Sequence, residues 1–480
     1  MINTMMNLEI LKRIGLVGLC LSIAACTIPT TIQKTENNVV PESFNASIDT
    51  TNSVRIQWRD FFKDPYLTAL IDTALRNNQE LNIMLQEIQI SQNEIRARKG
   101  EYLPFVGLMA GAEVEKVGRY TSQGANDANT EIKPGEEFPE PLPNFTVAAY
   151  ATWELDIWNK LHNAKRSAVL RYLSSIEGRN FMVTHLIAEI ANSYFELMAL
   201  DNQLEIVKQN LAIQQNALEI VRLEKASARV TELAVRRFQA EVLKNQSLQY
   251  DIQQSIIEME NKINYLLGRF PQPIPRNSTT FNNLLPDTVF AGIPVQLLEN
   301  RPDIKQAELE LAASKLDISV AKANFYPSLR IFAGVGLESF NPAYLIDPES
   351  ILYSLGGDLL APLINRNAIR ANYNSANARQ VQAVYTYEQR ILNAYIEVAN
   401  MLSMILNLER SYDLKSQQVD ALTESINISS VLFRSARADY MEVLLTQRDA
   451  LESKFELVET KKRQMNAMVN IYQALGGGWN

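Results

Sequence analysis

Four stretches of the chain alternate apolar residues with small or polar ones at a period of two. After Pro104, Val106, Leu108, Ala110, Ala112 and Val114 share one parity, against Phe105, Gly107, Met109, Gly111 and Glu113. Phe145, Val147, Ala149, Ala151, Trp153, Leu155 and Ile157 oppose Asn144, Thr146, Ala148, Tyr150, Thr152, Glu154 and Asp156. After Pro327, Leu329, Ile331, Ala333, Val335 and Leu337 oppose Ser328, Arg330, Phe332, Gly334, Gly336 and Glu338. The fourth stretch is less regular: Ile351, Tyr353, Leu355, Leu359 and Leu363 oppose Ser354, Gly356 and Asp358. Side chains of a strand point alternately to its two faces, so the pattern predicts strands over 104–116, 144–157, 327–338 and 351–363. One apolar face kept over ten or more residues is the signature of a transmembrane β-strand.

Two longer stretches have a different rhythm. From Leu363 to Leu475 there is neither Gly nor Pro, and from Ile157 to Leu267 only Gly178. Runs so poor in breakers are helical. Each is interrupted where its apolar pattern turns back, at Lys225-Ala226-Ser227-Ala228-Arg229 and at Ser435-Ala436-Arg437-Ala438-Asp439, which predicts helical hairpins over 159–268 and 365–475. The first arm, about Asn159 to Glu224, is roughly 100 Å long at ~1.5 Å per residue. Leu186, Ile190, Tyr194, Leu197 and Leu204 recur along it as a coiled-coil-like seam.

The two halves repeat. Ser91 aligns with Ser314, Ile95 with Ile318, Lys99 with Lys322, Tyr102 with Phe325, Pro104 with Pro327 and Gly111 with Gly334. A second match places Ala226 on Ala436, Ala228 on Ala438, Glu232 on Glu442 and Leu233 on Val443. The chain thus divides into residues 57–270, a linker at 271–289, residues 290–475 and a tail at 476–480. Four strands cannot close a barrel, and an open edge in lipid leaves backbone groups unpaired. The chain must therefore oligomerise; dimers would give eight strands and trimers twelve, and the pattern does not choose. The polar loops at 118–143 and 339–350 are expected on the extracellular side, with the helices in the periplasm.

The N-terminus states the compartment. Lys12 and Arg13 precede an apolar run, Ile14 to Ala24, that ends at Ile23-Ala24-Ala25-Cys26. The run is too short to span a bilayer and has the form of a secretory signal over 1–25. Cys26 fits the lipobox pattern, implying cleavage before it, diacylglycerol on its thiol and a further acyl chain on its amine. Residues 26–56 would then be a lipid-anchored extended segment. Cys20 leaves with the signal, so no thiol remains for a disulfide, a metal site or a nucleophile. The net charge of -8 argues against nucleic acid. His162 and His185, the only histidines, have no metal-site spacing, and no glycine-rich phosphate loop precedes a helix, so neither an enzyme nor a resident cofactor or metal is expected.

Further motifs carry a resemblance. These are Trp58-Arg59-Asp60-Phe61-Phe62-Lys63-Asp64-Pro65, Trp153-Glu154-Leu155-Asp156-Ile157-Trp158, Leu298-Glu299-Asn300-Arg301-Pro302-Asp303-Ile304 and the closing Ala474-Leu475-Gly476-Gly477-Gly478-Trp479. With them the chain resembles the TolC family of outer-membrane factors, in its OprM-like, NodT-type lipoprotein branch, over nearly all of its mature length. The resemblance implies an α+β membrane protein: a homotrimer whose 12-stranded outer-membrane barrel, four strands per protomer, continues into a long α-helical periplasmic barrel. It implies a periplasmic adaptor and an inner-membrane pump of the RND or ABC type as partners, with export of small molecules as the function. A type I secretion duct is the alternative; the lipobox and the stop at Asn480 favour efflux. A periplasmic adaptor or structural coiled-coil lipoprotein fits less well, because this chain has two hairpins with a strand pair before each.

The family docks its adaptor on the hairpin tips, here Lys225, Ala226, Ser227, Ala228 and Arg229 with Ser435, Ala436, Arg437 and Ala438. Ala226 and Ala436 stand where the family has glycine. Alanine at a positive φ costs about 1 kcal/mol or more, so a remodelled turn is expected. The family's entrance carries two carboxylates three residues apart after the second tip. Glu442 matches the first, Leu445 replaces the second, and Asp439 lies one turn back as a further gate candidate.

Overall fold

The computed structural model describes residues 28–29, 34–44, 51, 56–284, 291–435 and 437–479. The signal segment, Cys26, Ala436 and residues 285–290 lie outside them. In chain order the elements are α1 (Trp58–Phe61), α2 (Pro65–Asn77), α3 (Gln79–Glu101), β1 (Phe105–Glu115), α4 (Ser122–Asp127), β2 (Glu131–Lys133), β3 (Glu136–Glu137), β4 (Leu142–Leu155), α5 (Lys160–Ala226) and α6 (Glu232–Leu266). The second half holds α7 (Gln296–Asn300), α8 (Pro302–Ala323), β5 (Ser328–Ser339), β6 (Ile351–Leu360), α9 (Asn367–Arg434) and α10 (Tyr440–Ala474). The chain splits into two compact units.

The first unit, residues 1–35, 89–173 and 309–384, holds an antiparallel sheet of order β1-β4-β5-β6. Two expected strand ends fall short. β4 ends at Leu155 because Asp156 turns to receive the backbone N–H of Leu161 at 3.0 Å and of His162 at 2.8 Å, which caps the start of α5. Ile157 is therefore not a strand residue. β6 ends at Leu360, and Leu363 lies outside it, because Pro362 has no N–H to give a ladder. The loop at 118–143 is partly ordered, by α4 and by the small β2–β3 hairpin.

The second unit, residues 36–88, 174–308 and 385–480, is helical. Asp64 caps α2 by accepting from Tyr66 and Leu67, and Pro65 occupies its first position. Leu67, Leu70, Ile71 and Ala74 then share one buried stripe. That stripe, with Trp58, Phe61 and Phe62, joins Ile187, Ile190, Tyr194 and Leu197 of α5, Ile263 and Leu266 of α6, and Met465, Val469 and Tyr472 of α10 in one core. Phe61 stacks on Tyr472 at 4.1 Å, and Tyr194 donates to Asp64 at 2.8 Å. The expected seam holds from Leu186 to Leu197, whereas Leu204 is half-buried. The buried stripe is also wider than a coiled-coil seam, taking in Val183, Ile187, Ala191 and Met198, because α2 covers α5 in addition to its neighbouring arms.

Both return arms end alike. Arg269 donates to Asn264 and Gly268 to Tyr265; Gly477 donates to Tyr472 and Gly476 to Gln473. These are Schellman endings, with Gly268 at φ +66 and Gly476 at φ +94 in the left-handed region. An added Cβ would lie 2.4 Å from the Asn77 carbonyl oxygen at Gly268 and 2.5 Å from that of Asn300 at Gly476. Next to these contacts, Asn78 donates to the Leu266 carbonyl at 2.9 Å and Arg301 to that of Ala474 at 2.8 Å. The duplication is thus built as one lock used twice. The described part of the linker, residues 271–284, is fastened in this unit too: Phe281 and Ile274 are buried, and Arg276 binds Asp201 at 2.5 Å and Glu260 at 2.5 Å.

Candidate functional site

The register of the sheet brings the four apolar parities onto one face. Leu108 pairs with Ala149, Ala149 with Val335 and Val335 with Tyr353; the next row is Ala110, Val147, Leu337 and Ile351. Leu108, Val335, Tyr353 and Leu355 on this face are exposed. The other face carries Gly107–Tyr150–Gly334–Ser354 and the charged row Glu154–Arg330–Asp358. Tyr150 lies over Gly107 and Phe332 over Gly356, where an added Cβ would come within 2.6 Å and 2.5 Å of the ring. Such a sheet separates an apolar medium from a polar one. Among the described residues β1 and β6 each pair on one side only, so the sheet is open at both edges.

Amphipathic aromatics mark the ends of these strands. Trp153 donates its indole N–H to the Tyr102 carbonyl at 3.0 Å, and Trp158 donates to that of Pro327 at 2.7 Å while stacking on Tyr326. Both rings are exposed, and an exposed apolar ring whose one polar atom is satisfied suits a membrane–water boundary. Beside them the Asp156 carboxyl is held below the usual carboxylate range: burial opposes this, but the N–H groups of His162 and Leu161 and the His162 ring outweigh it.

At the first tip, Arg229 donates to Glu224 at 2.9 Å and Ala228 to Lys225 at 2.9 Å, a third Schellman ending. Its left-handed residue is Ala228, at φ 54, and Ala226 is helical. Ala226 thus escapes the strain, which falls two residues further on, at Ala228. At the second tip Arg437 donates to Leu432, as Arg229 does to Glu224. The helix after each turn starts at Glu232 or Tyr440, with Thr231 or Asp439 as its cap residue. Turn hydrogen bonds thus equate Arg229 with Arg437 and Glu232 with Tyr440, not with Glu442. The runs Ala-Ser-Ala-Arg and Ala-Arg-Ala-Asp are too alike in small residues to fix the register, which the hydrogen bonds do fix.

Lys225, Ala226, Ser227, Ala228 and Arg229 are exposed, as are Ser435 and Arg437, while Ala438 is half-buried. The tips themselves meet: Phe433, Tyr440 and Leu444 pack on Val221, Val235 and Phe238 of the first hairpin. Lys225 and Arg236 both bind Glu232, a cluster that was not foreseen. The hydrogen bond from Lys225, then the charges of Lys225 and Arg236, hold the Glu232 carboxyl below its usual range. Glu442 and Leu445 are exposed one turn apart on α10, and among the described residues no cation pairs with Glu442. Asp439 occupies the cap position of α10 without a side-chain capping bond.

The family model described as outer membrane efflux protein matches residues 70–269 and 293–477. The chain belongs to the outer membrane efflux protein family. The pyoverdine export outer membrane protein OpmQ of Pseudomonas aeruginosa is 27% identical over 473 residues, covering 98% of this chain and 97% of the relative. The cation efflux system protein CusC of Escherichia coli K12 is 26% identical, covering 95% and 97%. Among solved structures, CusC superposes with a TM-score of 0.80 at 24% identity, covering 93% of this chain and 99% of that one. The open state of the Neisseria gonorrhoeae MtrE channel gives 0.81 at 22%, covering 95% and 98%. The chain is thus an outer-membrane efflux channel, with the four-stranded sheet and long helices of that fold, from a family of transport channels.

Proposed function

We propose that this efflux channel is a homotrimeric, passive exit duct of a tripartite pump, anchored by lipid at Cys26. The carrying observation is the open sheet with one predominantly apolar face. Two unpaired edges in lipid are prohibitively costly, and copies joined edge to edge remove them. Three copies give the twelve strands that the resemblance implies. The helices carry matching surface: Leu243, Tyr250 and Ile257 of α6, seven residues apart, are exposed, as are Tyr385, Leu392 and Leu406 of α9. Helical stripes of this period seek another helix.

A periplasmic adaptor would dock on the tips, from Lys225 to Arg229 and from Ser435 to Ala438, where Lys225 to Arg229, Ser435 and Arg437 are exposed, and an RND- or ABC-type pump would supply the cargo. Relatives named for pyoverdine export, for solvent efflux and for cation efflux support small molecules over polypeptides. Three Glu442 carboxylates brought near a three-fold axis would attract cations, with Asp439 and Leu445 lining the same entrance. The test is the native mass of the detergent-extracted protein from the outer-membrane fraction, with its lipid attached. Three protomers with an acylated Cys26 are expected; a stable monomer, or protein found only in the soluble periplasm, would refute the duct.

A further inference from the structure

The polar face of the β1-β4-β5-β6 sheet carries three large rings around one spot. Phe105 pairs with Thr152, and Thr152 with Phe332, so the two phenylalanines flank Thr152 in a single row. Tyr150 stands two residues before Thr152 on β4 and so on the same face. Thr152 is itself exposed, and the rings stay open around it: Phe105 is 61%, Tyr150 39% and Phe332 40% exposed. The Phe105 and Tyr150 centroids are 6.0 Å apart. The outer end of the Tyr150 ring covers Gly107 and that of Phe332 covers Gly356, so both rings lie along the sheet instead of rising from it. Channel-facing positions of a membrane strand are ordinarily polar, which sets this patch apart. The face is also acidic. Glu113, Glu115, Glu338 and Asp358 share its parity and are bound by no cation among the described residues. Glu154 is bound by Lys160, and Arg330 is the one cation of that parity on the four strands.

We propose that this patch is a stacking platform for planar aromatic cations on the channel wall. Ring faces carry the negative part of their quadrupole, so they attract a cation and stack with a flat solute. The strands of Phe105 and Phe332 lie about 10 Å apart with β4 between them, a span that three fused rings cover. Carboxylates at both ends of the face give it a negative field, which a closed channel concentrates toward its interior. An anionic aromatic of the same shape meets that field with the wrong sign, Arg330 alone favouring it. The platform deepens the efflux-channel reading and rests on it, because the face meets cargo only as the inner wall of a duct.

The experiment is fluorescence titration of the purified, detergent-solubilised full-length protein with N-methylacridinium, a planar three-ring cation. Anthracene-9-carboxylate supplies the same ring count with the opposite charge, and tetraethylammonium the charge without a ring. Saturable binding of N-methylacridinium is expected, with weaker binding of the carboxylate and no displacement by equimolar tetraethylammonium. Phe105→Leu and Phe332→Leu keep an apolar side chain but remove the ring face, and each should weaken binding about two- to tenfold. Phe105 covers neither glycine and is mostly exposed, so its variant tests the platform should Phe332→Leu fail to fold. No saturable binding, equal affinity for the carboxylate, displacement by tetraethylammonium, or affinity unchanged in a folded variant would overturn the proposal. Conductance of the same preparation in a planar bilayer separates the two readings. Protein that conducts but shows no such binding refutes only the platform, and protein that never conducts refutes the duct.

Discussion

Ala228 offers a test in which two neighbouring alanines respond with opposite signs. It holds φ 54 at the end of α5, in the position that Gly268 and Gly476 occupy at the ends of the return arms. A left-handed residue with a Cβ is strained by roughly 1–2 kcal/mol. Ala228→Gly removes that strain but gives the unfolded chain more freedom, worth ~0.5–1 kcal/mol. Ala228 is exposed, so no packing is lost. The net expectation is a tip more stable by ~0.5–1 kcal/mol, or about two- to fivefold slower local opening. Ala226→Gly, inside the helix, should instead weaken the last turn by about 1 kcal/mol. Hydrogen exchange of peptides covering residues 222–232 in the full-length protein reads both directly. Faster exchange in Ala228→Gly with slower exchange in Ala226→Gly would show that the left-handed residue is misplaced here, and that Ala226 holds the family's glycine conformation.

Arg301 and Asn78 occupy equivalent positions, but the charge makes them unequal. Arg301→Met leaves the buried Asp303, now bound at 2.8 Å, without its cation, a loss of about 3–5 kcal/mol. Asn78→Ala breaks two neutral bonds, one donated to the Leu266 carbonyl and one accepted from the Leu81 N–H, at about 1–3 kcal/mol together; a thermal midpoint lower for Asn78→Ala than for Arg301→Met would contradict this ranking. Asp156 titrates below its unfolded value, so its capping stability is complete above the unfolded pKa of about 3.9 and is lost as pH falls through the depressed folded one. Asp156→Asn should flatten the stability–pH curve in that acid window alone, and a difference in slope near pH 7 would count against the assignment. Glu442→Ala should lower cation selectivity, read as reversal potential in a salt gradient across a bilayer; an unshifted potential removes Glu442 from the gate.

Much of the molecule was legible before any coordinate, because the features concerned are periodic and local. The parity of Val106 to Val114 and of Leu329 to Leu337 follows from strand geometry alone, and the register joined those parities into one apolar face. The arms were legible because a stretch without Gly or Pro has few ways to be other than helical, and α5 closes at Ala226, within two residues of the expected Glu224. Of the candidate site residues, the tips were found by this route, since a turn interrupts the helical period. Their register was not, because two runs of small residues align equally well two positions apart. The Lys225–Glu232–Arg236 cluster also escaped, although Glu232 and Arg236 stand at helical spacing and could have been noticed.

The sequence by itself determined the duplication, the four strands with their faces, the two hairpins and the need for further copies, all consequences of side-chain period and chain length. Tertiary structure decided which strands neighbour one another: β4 of the first repeat lies beside β5 of the second. It decided that Arg276 of the linker closes on Asp201 and Glu260. These are pairings between residues far apart in the chain. No local pattern records them, because a hydrogen bond or a buried charge selects its partner only when packing has placed that partner within reach.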